Sequence, residues 1–235
     1  MAGELTAGQK LSEPIIAAEC GISRTPVREA VRRLTEQGML YQIPSSGTYV
    51  AQPDRRQLID AYEVRMALEC FAMERVLRNL TKENRQELRR TCDVMHETAV
   101  TLRSRVRPIL DGAPLAAFLS ADLSFHLLLL KAAGNHLAIK TVTNAYQRNQ
   151  FFGHYSHRRD LRHVSWAWRQ HVEVERAIRR GDAASAARLL HAHIAWSLKD
   201  ALTSFDQANS AAARADRTPD DPIHDILAQL TARFE

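Results

Sequence analysis

The sequence predicts a mainly α chain: an N-terminal winged helix-turn-helix followed by an all-α, antiparallel helical bundle. Three observations carry this reading. Residues 1–51 present, in order, a short helix signal, a tight corner, a second helix signal and a hairpin signal. From residue 55 to about 203 the apolar residues recur at helical spacing. Gly and Pro number only 9 and 8 in 235 residues, and aromatics make up 6%, which favours helices over a strand-rich fold.

Taken in order, Ser12-Glu13-Pro14 opens the first helix, because Ser caps and Pro is tolerated in the first turn. That helix runs to about Cys20, and Gly21-Ile22 makes the corner. Ser23 caps the second helix, Pro26 sits in its first turn and Gly38 ends it. Residues 39–43 and 48–51 read as two short strands around the turn residues Pro44-Ser45-Ser46-Gly47. Pro53-Asp54 reads as a hinge. Helices follow at 55–78, 82–105, 114–133, 136–152, 162–180 and 183–203, with breaks at Thr81, Gly134-Asn135 and Gly181-Asp182. The division is 1–52 for the winged domain, 55–203 for the bundle and 204–235 for a tail. Residues 204–221, rich in Ala, Ser, Asp and Arg, read as loose, and 222–235 as one more short amphipathic helix.

Composition narrows the class. The chain is 45% hydrophobic and 25% charged, with a net charge of +5, which permits an anionic partner. Cys20, Cys70 and Cys92 are scattered, odd in number and form no CxxC pair, which points to free thiols in a reducing compartment. Residues 1–30 hold no signal-peptide apolar region. The longest apolar run, around residues 127–130, falls short of the roughly 18 residues of a membrane span. The expectation is a cytoplasmic protein with no membrane partner.

The second helix carries Arg24, Arg28 and Arg32 at i, i+4 and i+8, so three cations share about 80° of arc. The second helix of a helix-turn-helix lies in the major groove of DNA, where arginine pairs with guanine O6 and N7 or with phosphate. Ser23 and Thr25 add hydroxyls, and Gly47 at the hairpin tip lets the wing approach the backbone closely. The alternative is a solvated charged face. Residues 1–51 hold five cations against five glutamates, so the argument rests on placement of charge rather than on its sum. A dimer brings two such helices to one duplex.

A second signal lies in the bundle. Asp122 and His126 fall, at i and i+4, on the apolar face marked by Leu115, Phe118, Leu119, Leu129 and Ala133. Leaving both buried without partners is costly. His171 lies among Val164, Trp168, Val174 and Ile178, and His193 among Leu189, Leu190 and Trp196. If the Gly181-Asp182 break makes these two helices an antiparallel hairpin, His171 and His193 each stand about 16 Å from its tip, level with one another. His191 points elsewhere. An aspartate with three histidines suits a divalent transition metal such as Zn, Ni, Mn or Fe. The alternative is that each histidine is separately satisfied. Spacing alone does not bring the two pairs together.

These residues resemble a known family. The run from Gly8-Gln9-Lys10-Leu11-Ser12-Glu13 through Gly21-Ile22-Ser23-Arg24-Thr25-Pro26-Val27-Arg28-Glu29-Ala30 to Gly38-Met39-Leu40 is similar to the GntR family of bacterial transcription regulators. There the arginines and hydroxyl residues of this helix touch operator DNA. The resemblance therefore implies Ser23, Arg24, Thr25 and Arg28 as DNA-binding residues, with Gly47 in the wing; Arg32 is added from the helical stripe. Family members usually carry a further helix before a G-x-L-x-x-G segment. Here that segment is Gly3-Glu4-Leu5-Thr6-Ala7-Gly8, so the winged domain is expected to lack its first helix. Tyr62-Glu63-Val64-Arg65 with Leu68-Glu69, Asp122 with Phe125-His126, Ala133-Gly134-Asn135, and His171 through Gly181-Asp182 to His193 resemble the FCD effector-binding domain of the FadR-like subfamily. That resemblance implies a metal held by Asp122, His126, His171 and His193, beneath a pocket for a small organic acid or sugar acid. It extends over residues 1 to about 203.

A carboxylate effector wants a cation, for which Arg65 and Arg148 are the candidates; the alternative for Arg65 is a surface ion pair with Glu69. The expected function is a ligand-controlled transcription regulator, a repressor, that binds a palindromic operator as a homodimer and is not an enzyme. Two rivals remain at this point. One is a metal-dependent hydrolase, for which Glu175, at i+4 from His171, is the candidate acid or base. The other is a metabolite sensor that has lost DNA binding.

Overall fold

The computed structural model describes residues 7–52, 54–105, 108–153 and 159–215. The element order is β1 (Lys10–Leu11), α1 (Glu13–Cys20), α2 (Arg24–Glu36), β2 (Leu40–Ile43), β3 (Gly47–Val50), α3 (Arg55–Phe71), α4 (Met73–Asn79), α5 (Lys82–Arg103), β4 (Ile109–Leu110), α6 (Gly112–Ala133), α7 (His136–Gly153), β5 (Arg159–Asp160), α8 (Leu161–Arg179) and α9 (Ala183–Ala215). The chain is mainly helical, as its spacing predicts.

In the N-terminal unit, α1 ends at Gly21, whose φ of 66° lets its own N–H and that of Ile22 return to the Ala18 and Ala17 carbonyls. This is the left-handed stop that Gly permits. Ser12 and Ser23 occupy the N-cap positions with extended backbone, but neither side chain makes a capping hydrogen bond. The hairpin β2–β3 pairs Leu40 with Val50 and Ile43 with Gly47, and β1 adds to the outer side of β3. That third strand is only two residues long, too short to leave a periodic signal. Ala17, Val27, Val31, Leu40 and Val50 form a small core of their own.

The bundle has a separate, larger core. The expected helix 55–78 is two helices, α3 and α4, meeting at Ala72. Ala72 keeps helical dihedrals, so no Gly or Pro marks the break. The remaining breaks fall where the sequence puts them. Thr81 caps α5 through its hydroxyl, Asn135 accepts from Ala138 at the start of α7, and Asp182 accepts from Ser185 at the start of α9. The last helix corrects one expectation: α9 continues to Ala215, so residues 204–215 are helical rather than loose. Five of those twelve residues are alanine, which has the highest helix propensity. The short helix expected at 222–235 lies outside the described residues, as do Pro53 and residues 3–6 of the glycine-bounded segment. The short pair β4–β5 leaves no signal in the sequence.

Helix α6 is long and apolar enough to cross a membrane by length and composition, although its longest apolar run is short. In this fold it packs against α4, α5 and α7. Phe118, Phe125, Leu129, Leu130 and Ala133 are buried there.

Candidate metal centre and nucleic-acid interface

Asp122, His126, His171 and His193 converge. Their ligating atoms all lie within 4.8 Å of one another. Asp122 and His126 come from successive turns of α6, His171 from α8 and His193 from α9. Helices α8 and α9 form the antiparallel hairpin, and their two imidazoles meet edge-on, ring centres 4.3 Å apart. His126 lies 5.3 Å from His171 and 5.4 Å from His193 by ring centre. Among the described residues, three ring nitrogens, His126 Nε2, His171 Nε2 and His193 Nδ1, are buried with no hydrogen-bond partner. Buried polar atoms are nearly always paired, so three orphans facing one carboxylate need an explanation.

The surroundings preset two of the rings. His171 Nδ1 donates to the Ala167 carbonyl one turn back, at 2.8 Å. His126 Nδ1 lies 2.5 Å from Glu69 Oε2. In each case the proton belongs on Nδ1, and the Nε2 lone pair faces the cluster. The Asp122 carboxylate accepts from the Tyr146 hydroxyl at 2.5 Å, and its other oxygen stands 3.4 Å from His171 Nε2. Phe125 packs edge-on against His171, and Trp166 stacks on His193.

Protonation states follow from burial and charge. Burial holds His171 down, to about 4, against the upward pull of Asp122. Burial, with His171 and His126, holds His193 well below the ordinary imidazole value. For Asp122 burial opposes ionisation, but the three imidazoles and the Tyr146 hydroxyl outweigh it and keep the carboxyl well below its usual range. An ionised Asp122 beside neutral His171 and His193 is the state a divalent transition metal requires of these ligands. The donor set of three nitrogens and an oxygen fits such an ion.

Arg65 sits beside this centre. It is buried, and its Nε donates to Glu69 Oε1 at 2.9 Å. Its guanidinium lies 5.5 Å from the Tyr62 ring centre and 5.3 Å from that of Tyr146. The ion pair with Glu69 therefore exists but is not a surface pair. Arg148 lies in α7, and its side chain falls outside the described residues. Glu175, the candidate acid or base of the hydrolase reading, is paired with Arg89 of α5 at 3.7 Å.

Two neighbours of the centre escape a reading of the sequence. Glu69 reads as the partner of Arg65 one turn away, and nothing in one dimension shows its second oxygen reaching α6. Tyr146, buried among the apolar residues of α7, carries no spacing signal that ties it to Asp122.

In the N-terminal unit, Arg24, Arg28 and Arg32 are all exposed on α2, with Ser23 at its N-cap and Thr25 exposed in the first turn. Two of the three arginines already have partners. Arg28 Nε lies 3.4 Å from Glu13 of α1, and Arg32 Nη1 lies 2.5 Å from Glu36 one turn on. Gly47 begins β3 with φ at 135°, and a Cβ built on it would stand 2.9 Å from Lys10 Cε. Packing against β1 thus supplies an internal reason for glycine there.

Residues 60–195 match the FCD domain, and residues 1–50 match the bacterial regulatory proteins of the gntR family. The chain is 26% identical over 208 residues to the HTH-type transcriptional repressor RspR of Escherichia coli, covering 86% of this chain and 83% of that one. It is 31% identical over 196 residues to an HTH-type transcriptional regulator in an unstable DNA locus of Streptomyces ambofaciens, covering 81% and 75%. In fold it is similar to the E. coli protein McbR/YncC, with a TM-score of 0.70 at 19% identity over 86% of this chain and 90% of that one.

Proposed function

The chain belongs to the GntR family of bacterial transcription regulators, with an FCD domain as its larger part, and from that premise we propose that it is a ligand-released repressor built around a metal centre. Residues 1–52 form the DNA-binding domain. Residues 55–203 form the effector domain, and 204–235 a tail. Two copies read a palindromic operator. Arg24 and Arg28 contact base edges or phosphate, Ser23 and Thr25 hydrogen-bond nearby, Arg32 reaches phosphate by exchanging its contact with Glu36, and the wing at Gly47 lies along the backbone.

Asp122, His126, His171 and His193 hold one divalent transition ion, of the class Zn, Ni, Mn or Fe. The observation that carries this is the set of three buried, unpartnered ring nitrogens facing an ionised carboxylate. A metal held by these four residues would supply a Lewis-acidic centre for the carboxylate of a small organic acid or sugar acid. Arg65 and Arg148 supply the cationic fork for the acid's carboxylate.

Helices α3 and α7 suit the task of transmission. They carry Glu69 and Tyr146, which touch the centre. Helix α7 also meets the end of the recognition helix, where Gln37 Nε2 lies 3.4 Å from Gln147 Oε1. An acid that prefers one placement of these helices shifts the spacing of the two DNA-binding domains and lowers operator affinity.

Random-duplex selection with metal-loaded protein tests this, run at fixed salt beside an Arg24→Ala/Arg28→Ala control. A palindrome absent from the control, and released by a member of a panel of hydroxy acids and sugar acids, is the expected result. Recovery of nothing above the control overturns the DNA-binding assignment. A palindrome that no acid releases overturns the effector assignment.

A further inference from the structure

Two of the three imidazoles at the centre are held in the same tautomer by different means. For His171 the acceptor is a backbone carbonyl of its own helix, which every sequence supplies. For His126 it is the side chain of Glu69, on a different helix. Arg65 Nε, Glu69 and His126 Nδ1 form one buried chain, with Arg65 4% exposed and Glu69 and His126 fully buried.

Donor chemistry fixes the sense of every link. A guanidinium has no acceptor, so Arg65 Nε must donate, and it takes Glu69 Oε1. That leaves Oε2 for His126. An ionised carboxylate only accepts, so Nδ1 of His126 carries a proton, and a ring with a single proton has it there. Its Nε2 lone pair then faces Asp122, His171 and His193.

We propose that Glu69 is a positioning residue that sets the tautomer of His126, and that Arg65 fixes which oxygen does so; the proposal rests on the metal reading above. Outer acceptors of this kind orient ligating histidines, and their removal commonly weakens metal binding 10- to 100-fold.

The chain of donors makes an unusual prediction for Glu69→Gln. Arg65 still demands an oxygen and takes the single amide oxygen. The amide NH₂ then faces His126 Nδ1, which must accept. The ring proton moves to Nε2 and blocks the lone pair that the metal needs. Replacing Arg65 as well, in Arg65→Met/Glu69→Gln, frees the amide oxygen to turn to His126 and restores the Nδ1–H form.

The test uses the full chain, with long-range ¹H–¹⁵N spectra of the metal-free protein at pH 8 to read the tautomer. Competition against a chromophoric chelator gives Zn²⁺ and Co²⁺ affinities, and thermal melting checks folding. The expected results are an Nδ1–H ring in the wild type, an Nε2–H ring with roughly 10- to 100-fold weaker binding in Glu69→Gln, and return of the Nδ1–H ring with most of the wild-type affinity in the double variant. A wild-type ring protonated at Nε2 overturns the proposal, and this reading needs no variant to fold. So does a Glu69→Gln protein with unchanged tautomer, or a double variant that binds no better than the single one. If the wild type binds neither ion, the metal reading fails, while the tautomer spectra still decide the role of Glu69.

Discussion

Glu69 on α3 and His126 on α6 face each other with Oε2 and Nδ1 2.5 Å apart, both fully buried. They are 57 residues apart in the chain. The contact ties the first helix of the bundle to the ring that faces Asp122, His171 and His193. Burial opposes ionisation of Glu69, but His126 and Arg65 outweigh it and bring the carboxyl down to about 2.

The metal-free protein loses stability as pH falls from about 6.5 to 4. Burial keeps His171 near 4 and His193 well below its ordinary value, whereas their unfolded counterparts take protons near 6.5. Across that window the unfolded chain binds more protons, so acidification favours it, by up to about 1.4 kcal/mol per pH unit for each such ring. Asp122 and Glu69 add to the destabilisation at lower pH, because the stability their depressed values lend is complete above the ordinary carboxylate range and is lost as pH falls toward the folded values. Melting temperatures of chelator-treated protein at pH 7, 6 and 5 check this. A midpoint that stays level or rises toward pH 5 contradicts it.

Arg24→Ala weakens operator binding more than Arg32→Ala. Arg24 has no ion pair among the described residues, whereas Arg32 is held by Glu36 and must give up that partner to reach DNA. Removing one cation that neutralises a phosphate reduces the salt slope of log affinity by about 0.9. Fluorescence anisotropy on the selected duplex at several salt concentrations measures both affinity and slope. Equal weakening in the two variants contradicts the ranking.

Gly47→Ala destabilises the N-terminal unit by about 1–3 kcal/mol and leaves the bundle unaffected. The backbone at Gly47 lies at φ 135°, which a Cβ disfavours, and the new carbon meets the Lys10 stem. The flexible lysine can move, so Lys10→Ala recovers only part of the stability. Hydrogen exchange in β2 and β3 reports it, and unchanged protection there contradicts a packing role for Gly47.

The thiols react in order of exposure. Cys20 is exposed and alkylates first in the folded protein. Burial pushes Cys70 up to about 11 and Cys92 up to about 12, and a thiol in that range supplies little reactive thiolate. Mass spectrometry after brief iodoacetamide treatment at pH 8 distinguishes them. Modification of Cys92 ahead of Cys20 contradicts the burial described.

Much of the fold is legible in the sequence because its signals are local. Gly21, Thr81, Gly134-Asn135 and Gly181-Asp182 act through the backbone of their own turns, and helical spacing marks each buried face. The level placement of His171 and His193 follows from one hairpin and a fixed rise per residue. What escapes is long-range or weak. The two-residue strands are too short for a period, and Ala72 divides two helices without leaving helical dihedrals. Glu69 can be matched to Arg65 from the sequence but not to His126, because that pairing depends on how α3 packs near α6. The chain's end misleads for a different reason: the alanines of 204–215 favour helix even where small polar residues suggest a loose segment.

We propose that the four side chains gathered from α6, α8 and α9 bind one metal ion. Calorimetric titration of chelator-treated protein with Zn²⁺ measures this, beside His171→Ala and His193→Ala. One ion per chain in the wild type, with a raised melting temperature and with both effects abolished in each variant, is the predicted result. No saturable uptake by a folded wild type, or uptake that survives both substitutions, contradicts it.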